Sequence, residues 1–199
     1  MSFASKWFVL LLSIVAAPGA DKEKPFQAEP AASYACRQTI EKVTIAADVF
    51  DKQEKTSQAF GKLNPNRYGI LPVLVVIQND SSAALTLETM RVAYISESRQ
   101  KIEATPAREV PYTRGPKQPS VYNPPLPRLP KTGSSKNPLS AWEIEGRAFS
   151  AKMLPSGQSA SGFFYFQAPY QSGSVLYISG IQEAGSRREL FYFEISLDR

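Results

Sequence analysis

The sequence predicts an all-β fold built as a sandwich or barrel. Three observations carry this. Short runs of β-branched and aromatic residues recur along the chain, separated by Gly, Pro, Asn and Ser clusters. Two of these runs, 43–49 and 85–95, alternate apolar and polar residues, the period of a half-buried strand. Eight of the sixteen prolines fall within residues 111–138, so that stretch is a long insertion and not a core element.

The elements follow in order. Residues 1–20 have the form of a secretory signal peptide. Lys6 supplies a charged start, 7–17 are apolar or small, and Ala17-Pro18-Gly19-Ala20 offers small residues before charge resumes at Asp21. The apolar part is shorter than the ~20 residues a membrane-spanning helix needs. Residues 21–38, polar and alanine-rich with Pro25 and Pro30, form a flexible leader. The domain occupies 39–199. Its first strand lies within 39–50, and 51–61 is a short helical turn or a loop.

Ile70-Leu71-Pro72-Val73-Leu74-Val75-Val76-Ile77 is the most apolar run beyond the signal segment and reads as a central strand buried on both faces. Asn79-Asp80-Ser81-Ser82 then turns the chain into a strand over 85–95, with a weaker strand within 101–110. Ser140-Ala141-Trp142-Glu143 matches a capping box, which predicts one short helix over 141–153 with Trp142, Ala148, Phe149 and Met153 on a shared face. Gly146 weakens that helix and keeps a strand as the alternative. Three strands close the chain, at 162–167, 175–181 and 189–197.

Composition narrows the chemistry. There is no histidine, which excludes Ser-His-Asp and Cys-His nucleophiles, most zinc sites and the usual general base near neutral pH. Cys36 is the one cysteine, so no internal disulfide forms. Cys36 is a small core residue, a thiol or an intermolecular bridge. Its distance from the apolar N-terminal run argues against lipidation. So few cysteines in an exported chain suit a bacterial periplasmic or secreted setting.

The net charge of +5 has a location. Arg114, Lys117, Arg128, Lys131 and Lys136 lie in a stretch, 110–142, that contains no Asp or Glu, and these five equal the whole excess of the chain. Such a stretch can meet an envelope protein or an anionic envelope polymer or lipid. These five are the candidate binding residues. A solvated loop kept soluble by charge is the plainer explanation. No nucleic-acid partner, cofactor, metal or transmembrane segment in the mature chain is expected.

Leu154-Pro155-Ser156-Gly157 followed by Gly162-Phe163-Phe164-Tyr165-Phe166, with Asn79-Asp80-Ser81 at the end of the buried strand, resembles exported bacterial immunoglobulin-like domains of the FxLYD type. The resemblance covers about a third of the mature chain. It implies an immunoglobulin-like sandwich of about seven to eight strands, here with a proline-rich insertion and one short helix. It also implies a protein of the bacterial cell envelope that binds or spaces rather than catalyses.

Other motifs carry less. Leu129-Pro130-Lys131-Thr132-Gly133 matches a sortase signal but is followed by a folded region instead of an apolar segment and basic tail. Ser98-Arg99-Gln100-Lys101 with Lys131-Thr132-Gly133 echoes penicillin-recognising enzymes, at the wrong spacing and without the Ser-x-Asn element. Gly157-Gln158-Ser159-Ala160-Ser161 lacks the last glycine of a nucleophile elbow. Asp48 and Asp51 suit a solvated strand end better than a calcium loop. Asn79 opens a glycosylation sequon, but its turn role explains it. Residues 163–166 and 190–193 suit core packing better than a sugar platform.

The function expected is therefore a non-catalytic exported binding or structural module of the bacterial envelope. The alternative is a wall-polysaccharide hydrolase using carboxylates such as Glu143 and Glu145, although two positions on a helix diverge by ~200°.

Overall fold

The structure, a computed structural model, describes residues 26–113 and 137–198. Eleven strands form three antiparallel sheets that do not close into a barrel. The first sheet orders β1 (Arg37–Ile40), β2 (Val43–Val49), β3 (Leu71–Asn79) and β8 (Ser159–Phe166) as β1-β2-β3-β8. The second orders β5 (Arg91–Ile95), β6 (Lys101–Glu103), β9 (Val175–Ser179) and β11 (Phe193–Ser196) as β11-β9-β5-β6. Three two-residue strands, β4 (Leu85–Thr86), β7 (Met153–Leu154) and β10 (Gln182–Glu183), make the third.

The period of two sorts the side chains into layers. From β3, Val73, Val75 and Ile77 point into a core shared with Tyr94, Leu176, Ile178 and Phe193 of the second sheet. Leu74 and Val76 of the same strand point the other way, into a second core with Phe50, Phe60, Val110, Leu139 and Ile144. The first sheet is thus covered on both faces, which is why β3 reads as a continuous apolar run. In the second sheet, strands β9 and β11 alternate in burial, whereas β5 is buried at Val92, Ala93 and Tyr94.

The covering layer includes α1 (Gln53–Phe60), α2 (Trp142–Gly146) and several 3-10 turns. Residues 51–61, read as a short helical turn or a loop, fold into the two-turn helix α1, with Thr56, Ala59 and Phe60 buried. The helix expected over 141–153 stops at Gly146. Its capping box does not form: the N-cap is Ala141, with no side-chain cap. Beyond Gly146 the chain runs beside β8, where Phe149 N–H donates to the Phe163 carbonyl and Phe163 N–H to the Arg147 carbonyl. Met153–Leu154 then becomes β7, and Trp142 and Met153, expected on a shared face, are 68% and 60% exposed.

Two predicted strands are each divided. The strand read within 39–50 is the β1–β2 hairpin, which begins at Arg37 inside the expected leader and turns at Glu41 and Lys42 with φ of 48° and 63°. Residues 85–95 contain β4 and β5, separated by a turn in which Met90 N–H donates to the Leu87 carbonyl. Gly180 lies under that turn with φ of 79°, and a Cβ there would sit 2.2 Å from the Thr89 carbonyl oxygen. Only glycine fits both conditions. The strands read at 101–110 and 189–197 are shorter, as β6 and β11, with a 3-10 turn at Ala107–Tyr112.

Asn79 ends β3 fully buried. Its Nδ2 donates to the Ala83 and Leu154 carbonyls at 2.9 and 3.1 Å, while its Oδ1 accepts from Ser81 N–H and Oγ at 3.1 and 2.6 Å. Every polar atom of the side chain is satisfied, in the turn role the sequence indicates. Within the expected leader, Phe26 packs against Phe50 and Phe163, and Ala31 is buried. Phe26 thus packs on the second core.

Candidate functional site

Arg114, Lys117, Arg128, Lys131 and Lys136 lie outside the described residues, as do residues 1–20, Leu129-Pro130-Lys131-Thr132-Gly133 and most of the 111–138 insertion. The two points from which this segment departs are described. Asn137 Nδ2 donates to the Pro111 carbonyl, and Asn137 Oδ1 caps the next 3-10 turn by accepting from Leu139 N–H at 3.1 Å. Val110 and Leu139, one beside each root, are buried in the second core. The basic segment therefore departs from and returns to one place on the layer covering the first sheet.

That place is rich in exposed aromatics. Tyr112 is 84% exposed and Trp142 68%. The Cε3–Cζ3 edge of the Trp142 ring abuts Gly146, where an added Cβ would stand 2.8 Å from Cε3 and 3.0 Å from Cζ3. The Arg147 guanidinium sits 5.7 Å from the Trp142 ring and 5.5 Å from the Phe26 ring. Arg147 Nε is buried and makes no hydrogen bond among the described residues. No ion pair joins Arg147 to an acid among them either. A guanidinium within cation–π range of two rings keeps its charge.

Glu143 and Glu145 flank the buried Ile144 on the short α2. Glu143 is half-buried and Glu145 exposed. Neither lines the cleft beside β6 and β8 or the two clefts that meet at Tyr170. One of the Tyr170 clefts, of about 250 Å³, does hold two other carboxylates, Asp51 and Asp198, together with Ser172. The Asp198 carboxylate accepts from Gly173 N–H at 3.0 and 2.8 Å, Tyr170 OH at 3.0 Å and Ser172 Oγ at 3.2 Å. The Gly173 N–H and then Tyr170 hold it below its ordinary value. Burial, then the Asp198 carboxylate, push Tyr170 up to about 12. An acid so fully accepted is kept ionised as a latch for the end of β11 and is ill suited to donating a proton.

Two further surfaces stand apart from these. The cleft beside β6 and β8, of about 310 Å³, is lined by Val92, Ala104, Phe149 and Phe164, with Arg91 and Glu103 also in its wall. On the second sheet, Tyr177 and Tyr192 stack at 5.2 Å, Phe191 is 70% exposed, and Lys101 Nζ lies 6.0 Å from the Tyr177 ring. The aromatic runs thus divide. Phe163, Tyr165, Phe166, Leu190 and Phe193 are core, whereas Phe191 and Tyr192 are not. Cys36 is half-buried, with Sγ donating to the Asp198 carbonyl at 3.1 Å. Asp48 is paired with Lys55 at 2.6 Å. Among the described residues no helix is long and apolar enough to cross a membrane.

Sequence reasoning does not single out Arg147 or Phe26, and it places Trp142 on a shared helix face. The signal present in the chain is a tryptophan with glycine four positions on and arginine five on, next to the basic stretch.

No protein-family model matches the sequence, and no curated protein matches it. The chain is similar to a solved structure described as a functionally unknown protein from Listeria monocytogenes EGD-e. The identity is 11%, over 81% of this chain and 81% of that one, with a TM-score of 0.35.

Proposed function

We propose that this chain is a non-catalytic binding or structural module of a bacterial cell envelope. In this proposal it is exported through residues 1–20, and its two larger sheets have an immunoglobulin-like arrangement. The observation that carries the proposal is the placement of the charge. Five cations without a compensating acid lie on a segment whose two roots are fastened together by Asn137 and Pro111, beside the exposed Tyr112 and Trp142. Prolines limit the conformations of such a segment, so less entropy is lost on binding than for a Gly/Ser loop. The hydrolase alternative has less support. Glu143 and Glu145 flank a buried residue and line neither the cleft beside β6 and β8 nor those at Tyr170.

Co-sedimentation with anionic liposomes or purified wall fragments across a salt series tests the proposal. Binding should weaken as the Debye length falls below ~10 Å. Replacing Arg114, Lys117, Arg128, Lys131 and Lys136 with Ser should reduce binding and leave the thermal unfolding temperature unchanged. Equal binding by both proteins, or none by either, overturns it. Intact-mass analysis of protein from a bacterial periplasm or medium tests export, with loss of about the first twenty residues expected. Full-length protein confined to the cytosol overturns that part.

A further inference from the structure

We propose that β6 is an interface between two copies of this chain, which join edge to edge as antiparallel strands centred on Ile102.

The direction of the β6 backbone comes first. Ser96 N–H donates to the Gln100 carbonyl and Ala104 N–H to the Val92 carbonyl, both at 3.0 Å. In an antiparallel ladder the groups that face the neighbour alternate, so residues 100, 102 and 104 turn their N–H and C=O to β5. Lys101 and Glu103 turn theirs outward, where β6 ends the sheet. Among the described residues those outward groups meet no partner. Two other sheet edges are covered. Residues 147–149 run along β8, and Glu194 N–H of β11 donates to Gln38 Oε1 at 2.8 Å. Beside Glu103 the cleft of about 310 Å³ leaves open space.

Charge on an edge strand ordinarily blocks pairing. The order Lys-Ile-Glu makes that block depend on register. Place a second copy antiparallel with Ile102 facing Ile102. Lys101 then faces Glu103 of the second copy, and Glu103 faces its Lys101. The outward groups of both strands meet, forming four N–H···O=C bonds. Within one chain, Lys101 Nζ and Glu103 Oε1 lie 2.7 Å apart, and both side chains are more than half exposed. Two chains set these four charges in a square of alternating sign, with like charges only on the diagonals. Opposite charges directly across a strand pair stabilise it, and like charges destabilise it. A slip of two residues sets Lys101 against Lys101, or Glu103 against Glu103. The edge therefore carries its own complement in one register only, which makes a second copy its occupant.

The fold limits the length of this pairing. The next pair outward would be Arg99 with Thr105. Thr105 N–H already donates to the Tyr165 carbonyl at 2.7 Å, and Arg99 turns away with φ of 64°. At the centre, Ile102 packs against the first core and meets its own copy across the axis. An edge this short buries less than the ~1,200 Å² of a stable interface, so the dimer is weak and concentration-dependent.

Sedimentation equilibrium of the full chain over ~0.01–1 mM tests the proposal. The average mass of the wild type should rise towards that of a dimer. Lys101→Glu and Glu103→Lys each set like charges opposite one another at two places, and should weaken association about tenfold or more. Mixing these two variants in equal amounts should restore the dimer, because one brings two acids and the other two bases. The double swap of Lys101→Glu with Glu103→Lys in one chain should restore it too. Glu103→Pro removes an outward N–H without touching the β5 ladder, and should give a monomer. Thermal unfolding checks that each variant is folded. The double swap and Glu103→Pro carry the test where a single reversal does not fold. A wild type that stays monomeric throughout leaves this edge to a strand of another protein and overturns the proposal. Single reversals or Glu103→Pro that dimerise as wild type does, or a mixture no more associated than its components, overturn it as well.

Discussion

The backbone of Phe149 passes so close to Gly162 that a Cβ on the glycine would lie 2.4 Å from the Phe149 Cα and 2.5 Å from its nitrogen. Both contacts are to backbone, so no rotamer change relieves them. This approach is what lets the chain after α2 pair along β8, through Phe149 N–H to Phe163 and Phe163 N–H to Arg147.

Gly162→Ala should therefore push residues 147–149 off β8 and destabilise the fold by about 1–3 kcal/mol, the range typical of overpacking. Chemical denaturation measures it. A midpoint equal to wild type would mean the close approach is absent in solution.

Val75 is fully buried between the two larger sheets, opposite Gly162 and Ala47 in the strand registers. Val75→Asp buries a charge with nothing to pair it, and should be far worse than Val75→Ala. The aspartate variant is expected to be largely unfolded by circular dichroism at about 25 °C. A cooperative, near-native melt would contradict the central placement of β3.

Tyr165 fastens the covering layer to the first sheet, its hydroxyl donating to the Ile144 carbonyl at 2.7 Å. Burial holds this phenol well above its ordinary value. Tyr165→Phe leaves the Ile144 carbonyl unpaired and should lower stability by about 1–3 kcal/mol. Amide exchange should rise in α2 more than in β3. A uniform rise would show that α2 is held by packing alone.

The Asp198 latch predicts a pH dependence with a definite sign. Gly173 N–H, Tyr170 and Ser172 hold the folded carboxyl below its ordinary value of 3.8. Its contribution is present above that value and disappears as pH falls through the lower folded value. Asp198→Asn should thus melt earlier than wild type at about pH 7, and the gap should close below about pH 3.8. Tyr170, pushed up to about 12, gives the alkaline counterpart. Its contribution is intact below the ordinary 10.0 and fades as pH rises towards 12, followed by tyrosinate absorbance. A gap between wild type and Asp198→Asn that stays constant from about pH 7 to about pH 3 would remove the latch.

What can be read from the chain depends on whether a residue's neighbours in space are also its neighbours in sequence. Residues 70–77 announce β3 because burial on both faces writes an unbroken apolar run. The Glu41–Lys42 turn is silent because two-residue hairpin turns at positive φ are normally marked by Asn-Gly. The turn over 87–90 is silent for a related reason. It contains no Gly or Pro, and Gly180, which admits it, is about ninety positions away. Trp142 is expected to share a helix face because hydrophobicity is usually spent on burial, yet α2 is ended by a β8 pairing that lies outside its own sequence window. The charge of the basic segment is legible, whereas the approach of Arg147 to Phe26 and Trp142 requires the fold.

The fastening of Asn137 to Pro111 has a consequence for how this protein can change. Because the chain leaves and rejoins the layers at one point, whatever joins residue 113 to residue 137 acts as an inserted cassette. Doubling the length of such a cassette adds only about 0.6 kcal/mol of closure entropy. Its sequence and length can drift, or be exchanged by an engineer for another peptide, with little effect on the cores below. Variation at this position is thereby decoupled from selection on folding, and differences among descendants of this chain should accumulate there first.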